Sequence, residues 1–273
     1  MKKLFFATAV AAIAFAVNSN AQISVGVGYA NESVITKTAE KLDDGIKGYS
    51  WDRGQMKLDG IYVEVAYNWD LTTVGDGALS LQPGLRYNWV TSNQGTSKAR
   101  YNGDVSGKKY EVNATTRSRF ANHFIDIPVH LRYSYDFVPG TFKAYAFAGP
   151  VFSLGLAANS TDCSKGSVVY GGEEKKTYDL EKINVYNGKY YNRYYDTAAK
   201  KYEVDKGQSD DYKMYNMFDL KLALGLGVTV SEKVDIKVGY NIGLLNRIVH
   251  KIDDYAKYSA HSNVLYFGVA YNF

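Results

Sequence analysis

The chain has one cysteine, Cys163, so it cannot form an internal disulfide. It has four histidines, His123, His130, His250 and His261, and no two of them have metal-ligand spacing. After residue 22 there is no run of 18 apolar residues, which argues against a membrane-spanning helix. A convincing 3.6-residue apolar stripe is missing as well. Charge of one sign is not in excess. Without Lys2 and Lys3 the chain carries 30 basic and 28 acidic residues, a balance that gives no support to nucleic acid as a partner.

Aromatic residues are abundant instead, at 15%, and 25 of them are Tyr. The mean hydropathy of −0.30 is that of a water-soluble chain, but it does not exclude a membrane barrel. A barrel wall alternates apolar and polar residues, so its average stays near that of soluble proteins. The first residues read as an export signal. Lys2 and Lys3 form a positive start, Leu4 to Val17 an apolar stretch, and Ser19-Asn20-Ala21 a small-residue exit. The expected division is a cleaved signal peptide over 1–21 and a barrel domain over 22–273.

Strict alternation recurs after residue 22, the pattern of strands with two unlike faces. Leu265, Phe267, Val269, Tyr271 and Phe273 oppose Tyr266, Gly268, Ala270 and Asn272. Val234, Ile236, Val238 and Tyr240 oppose Asp235, Lys237, Gly239 and Asn241, and the stretch from Phe218 to Val230 behaves the same way. Earlier strands start near Ile23, Ile61, Leu79 and Ile125, and one of ambiguous phase runs from about Thr141 to Ala157. The intervening segments alternate in length. Residues 31–59, 92–119, 160–215 and 247–262 are long, whereas 70–77, Pro139-Gly140 and Ser231-Glu232 are short. This predicts an all-β fold, an eight-stranded antiparallel up-and-down transmembrane β-barrel with long extracellular loops. Counting loop hairpins raises the number of strands to ten.

The small, charged face holds Glu64, Arg86, Asp126, His130, Arg132, Asp219, Lys221, Asp235 and Lys237. An eight-stranded lumen is just wide enough for side chains to fill it, so these are expected inside, neutralising one another, with His130 hydrogen-bonded beside Asp126 or Arg132. Such a lumen leaves no wide aqueous channel. The large apolar face, with Tyr67, Trp69, Tyr87, Trp89, Tyr133 and Tyr135 near strand ends, is expected against lipid. A two-layer soluble sandwich remains the alternative.

Several segments resemble small outer-membrane barrels of the PorT-like class, common in Bacteroidota and similar in architecture to the OmpA and OmpX barrels. They are Phe124-Ile125-Asp126-Ile127-Pro128-Val129, Ala148-Gly149-Pro150, Phe218-Asp219-Leu220, Gly225-Leu226-Gly227 and Gly239-Tyr240. Phe267, Val269, Tyr271 and Phe273 are similar to the terminal signal read by barrel insertion machinery. The resemblance implies the fold and the bacterial outer membrane. It also implies outer-membrane lipid and lipopolysaccharide as surroundings. Part of that class serves type IX secretion, so membership of a secretion or envelope assembly is one functional reading.

A non-enzymatic structural or binding role is the first reading, with no cofactor and no metal. Lipid A deacylases of this architecture carry His-x-Ser on one strand face, whereas His261 and Ser262 are adjacent and would point to opposite faces. A lipid-modifying enzyme is therefore the weakest alternative. Asp210-Asp211 and Asp253-Asp254 read as solvated loop charge rather than calcium ligands. Residues 160–215 hold ten Tyr, ten acidic and ten basic residues. Ile183 to Asn192 reads as a hairpin with a type I′ turn at Asn187-Gly188. Tyr186, Tyr190, Tyr191, Tyr194 and Tyr195 are candidate contact residues for a protein or glycan partner, since Tyr offers large amphipathic area at low entropy cost.

Overall fold

The computed structural model describes residues 22–41, 49–105, 108–170, 173–196, 199, 201–249 and 256–273. The expected signal segment, His250 and Asp253-Asp254 lie outside these residues. Among the described residues, eleven strands form one antiparallel sheet. They are β1 (Gln22–Lys41), β2 (Tyr49–Val74), β3 (Gly77–Val105), β4 (Lys108–Val138), β5 (Phe142–Tyr170), β6 (Glu173–Asn184), β7 (Lys189–Asp196), β8 (Lys201–Gln208), β9 (Phe218–Val230), β10 (Val234–Gly243) and β11 (Ala256–Asn272).

The order is β4-β3-β2-β1-β11-β10-β9-β5-β6-β7-β8, and β4 also pairs with β5. That pairing closes a ring of eight, β1–β5 with β9–β11, and removes every edge from it. The short turns gather at one end. At the turn between β9 and β10, Ser231 and Glu232 both have positive φ (51° and 59°), the twist a tight hairpin needs. The chain closes at the same end, where the Phe273 amide donates to the Ile23 carbonyl at 2.9 Å.

Along the ring, alternation sorts the side chains as expected. Leu222, Val238 and Phe267 point outward and are 39%, 45% and 54% exposed, whereas Ala223, Lys237 and Tyr266 point inward and are buried. In β5 the ambiguous phase resolves with Tyr145, Phe147, Val151 and Ser153 inside and Phe152, Leu154 and Leu156 outside. Glycine makes room for the inward rings. A Cβ on Gly225, Gly227 or Gly239 would run into Phe147, Tyr145 or Tyr266 respectively.

The long segments depart from expectation, because they are largely strand rather than loop. β1 and β2 stay in register from Gln22↔Asn68 to Lys41↔Tyr49, and β3 and β4 from Gly77↔Tyr135 to Val105↔Lys108, with one shift at Asn93/Gly95. Residues 256–262 belong to β11. The sheet thus has eleven strands where eight to ten were expected. The reason is an inversion of polarity along the ladders. Beyond the apolar band the inward positions become greasy (Ala30, Val34, Leu58, Val90, Phe120, Ala158, Ala260, Val264) and the outward ones polar. The alternation persists with its sense reversed.

Candidate functional site

The interior is built in three tiers. Nearest the turns, Arg132 meets Asp235 at 3.1 Å and donates to Thr229 at 2.9 Å, with its guanidinium 3.5 Å over the Tyr145 ring. In the middle, Glu64 accepts from Arg86 at 2.6 Å and pairs with Lys237. Arg86 lies over Tyr266 at 3.9 Å and Tyr62 at 4.8 Å. Asp126 accepts from Asn88 at 3.1 Å, with Lys221 3.6 Å away; Lys221 also donates to Ser153 at 3.2 Å. Arg86 reaches Glu64 from the adjacent strand, whereas the Arg132–Asp235, Lys221–Asp126 and Lys237–Glu64 pairs join strands that are not neighbours, so these pairs tie the ring internally. Pairing of this kind offsets much of the cost of taking charge out of water.

The third tier closes the far end. Glu32 accepts from Asn122 at 2.7 Å and from Ser262 at 2.5 Å, and Arg247 lies 3.5 Å from its carboxylate. Tyr186 donates to Asn122 at 2.9 Å and is bonded by Arg247. Its ring comes from the segment joining β6 to β7 and sits with Val185 in the apolar cluster above the charges. Side chains therefore meet across the ring at three levels, from the turn end to the mouth.

Beyond the mouth, β5 changes partner. Phe142–Leu154 pairs with β9, and Asn159–Tyr170 pairs with β6. The ladder then continues to β7 and β8, making a six-stranded sheet from β3 to β8 that stands clear of the ring. Its two faces differ. On the face continuous with the ring interior, Tyr190 packs edge-on against Tyr212 at 5.4 Å and donates to Asp205 at 3.4 Å. The Asp205 charge raises the pKa of the Tyr190 hydroxyl. Lys201 is held protonated to higher pH by its hydrogen bond to Glu203.

Residues 72–249, more than half of the chain, match the family described as an outer membrane protein beta-barrel domain. This chain belongs to that family. It is a protein of the bacterial outer membrane. Its solved structural neighbours include Ail, the attachment invasion locus protein of Yersinia pestis (10% identical, 93% of this chain and 100% of that one, TM-score 0.30). Neisserial surface protein A is another (13%, 93% and 100%, 0.29), and so is the outer membrane protease OmpT of Escherichia coli (11%, 92% and 97%, 0.26). At such identities and scores these likenesses carry no argument about what the barrel does. Among curated proteins none matches.

The barrel buries all nine charged residues singled out by alternation: Glu64, Arg86, Asp126, His130, Arg132, Asp219, Lys221, Asp235 and Lys237. Two do not have the partners expected. His130 stacks on Phe147 at 4.7 Å and leaves its Nε2 without a hydrogen bond, while Asp126 accepts from Asn88 and Arg132 pairs with Asp235. Asp219 has no hydrogen bond at either carboxylate oxygen.

The five candidate tyrosines do not form one surface. Tyr186 is inside the mouth, a correction that follows from the turn. Ile183 pairs with Tyr190 and Lys182 with Tyr191, so Asn184–Lys189 forms one wide connection rather than a two-residue turn, and Val185-Tyr186 folds inward. Alternation along β7 then puts Tyr190 and Tyr194 on one face and Tyr191 and Tyr195 on the other. Phe267, Val269 and Tyr271 face outward on β11, and Phe273, just past its end, is exposed as well. Sequence reasoning missed Glu32, Asn122, Arg247 and Ser262. The first and the last two lie in segments read as loops, but Glu32 continues the inward phase of Ser24, Gly26, Gly28 and Ala30, a signal that was there to follow.

Proposed function

We propose that the protein is a closed, non-enzymatic outer-membrane barrel that works as a binding surface through the sheet beyond its apolar band, which faces the cell exterior. The observation that carries this is the mouth. Tyr186, Arg247, Asn122 and Glu32 cross the mouth of the lumen, while the widest extension of the ring among the described residues is the six-stranded sheet above it. A ring crossed in this way is expected not to conduct, and chain length has gone into surface instead. Geometry also supports a role without catalysis. His123 lies outside, stacked on Trp89, His130 lies inside against Phe147, and Ser262 is committed to Glu32 while His261 points the other way.

An extracellular or envelope protein is the partner class we favour. Within the family we read the chain as PorT-like, on the segments Phe124–Val129 and Phe218–Leu220, and its outward Phe267, Val269, Tyr271 and Phe273 as the strand engaged by insertion machinery. The experiment has two readouts on one preparation. With Cys163→Ser as background, Val204→Cys is expected to react with a membrane-impermeant maleimide on intact cells, and the purified barrel to give no conductance steps in planar bilayers. Labelling only after the envelope is broken, or discrete conductance steps, would refute the reading.

A further inference from the structure

Over the four rows nearest the apolar band, charge on the β3–β8 sheet is sorted by face; the fifth row of the outer face carries Glu111 and Glu174. Register places Arg119, Lys182 and Lys206 in the row nearest the apolar band, on the face continuous with the outer wall. The next rows on that face carry Arg117 and Arg193, then Lys98 and Lys165, then Arg100 and Lys176. Nine cations thus share four rows that contain no carboxylate. All but the half-buried Arg193 are exposed. Carboxylates of the same strands, Asp162, Asp179, Glu181, Glu203 and Asp205, take the opposite face. Six strands at ~4.8 Å and four rows two residues apart make a patch of about 24 by 20 Å.

The height of the patch matters as much as its charge. His123, stacked on Trp89 at the upper rim of the apolar band, is four residues below Arg119 on β4. At ~3.3 Å per residue and a strand tilt of roughly 40°, the first row stands about 10 Å above that rim. Basic groups at headgroup height on a lipid-facing wall meet anionic lipid before anything else. We infer that this face is a cradle for the phosphorylated sugar headgroups of the glycolipid in the outer leaflet. Arg guanidinium groups, with forked donors, suit phosphate oxygens. Arg117 and Arg119 occupy consecutive outward positions of β4 and flank Cys163 and Thr161 of β5. The inference rests on the outward orientation proposed above.

The test titrates the full-length barrel in non-ionic detergent with diphosphorylated lipid A and with its dephosphorylated form, counting bound lipid by native mass spectrometry. Wild type is expected to retain the phosphorylated form preferentially. The variant Arg117→Gln, Lys165→Gln, Lys182→Gln, Lys206→Gln is expected to bind it about tenfold more weakly or worse. A control on the opposite face, Lys201→Gln, is expected to bind as wild type does. Heat-shifted gel migration checks that each variant is folded. Should the quadruple variant not fold, Lys98→Gln with Lys165→Gln serves in its place, with binding expected to fall in the same direction. Equal retention of the two lipid forms, an unchanged affinity in the variant, or displacement of the lipid by a soluble acidic polysaccharide would overturn the inference. The Val204→Cys labelling reports orientation separately, so loss of lipid preference with labelling intact refutes this inference alone.

Discussion

Glu64 shows how the lumen is held. One carboxylate serves two cations, Arg86 from the adjacent strand and Lys237 from across the ring. Removing the charge strands both, and breaking a buried pair costs about 3–5 kcal/mol. Glu64→Gln is therefore expected to lower the unfolding free energy of the lipid-reconstituted barrel by about that amount, with a lower urea midpoint, measured by tryptophan fluorescence. An unchanged midpoint would mean that the lumen is wet enough to screen the pair. Gly239 is the complementary case, since its missing side chain is the space that Tyr266 fills. Gly239→Ala is expected to cost about 1–3 kcal/mol as overpacking. Adding Tyr266→Leu is expected to recover part of that loss, and a double-mutant cycle measures the coupling. Both features could be read from residue type and phase, because a strand's inward set is fixed once one face is known to meet lipid. Partner choice was not readable. Nothing local to His130 or Asp219 says that Asp126 and Arg132 are already engaged.

At the scale of elements, the transmembrane parts of the eight strands were legible and their extensions were not. In the band, outward Val25, Val27 and Tyr29 are large and apolar; further along β1, outward Asn31 and Ser33 are polar while inward Val34 is buried. A pattern that inverts looks like a pattern that ends, so 31–59 and 92–119 read as loops. The physical reason is a change of solvent. In lipid the outer face must be greasy, whereas in water the inner face must be. The β6–β7 connection depends on this second core, being anchored by Val185 and Tyr186 inside the mouth. Tyr186→Ala removes the ring and two hydrogen bonds, at a cost of roughly 3 kcal/mol by analogy with other buried aromatics. Trypsin is then expected to cut within β6–β8 faster than in wild type while the ring stays protected. Equal cleavage rates would show that the hairpins stand without that anchor.

The whole molecule is a cylinder with two solvents and two cores. Its lower part carries charge inside and apolar residues outside, and its upper part the reverse. Closure of β4 on β5 leaves no open edge in the ring, and the third tier of side chains bonds across its mouth. Location and overall architecture were legible in the sequence, because both rest on a repeated pattern. The plug was not, because it joins Glu32, Asn122, Tyr186, Arg247 and Ser262 from five distant segments, and no local rule connects them. Trp69 and Trp89 lie outward near opposite rims of the apolar band, 59% and 44% exposed on the isolated chain. They test the central claim, that the greasy face meets lipid, without disturbing the wall. With Trp51→Phe removing the third indole, the reconstituted barrel is measured in bilayers whose acyl chains carry bromine near the headgroup or near the bilayer centre. The account predicts strong quenching by bromine near the headgroup, weaker quenching by deep bromine, and little quenching by aqueous iodide. Full iodide quenching with no effect of bromine at either depth would contradict it.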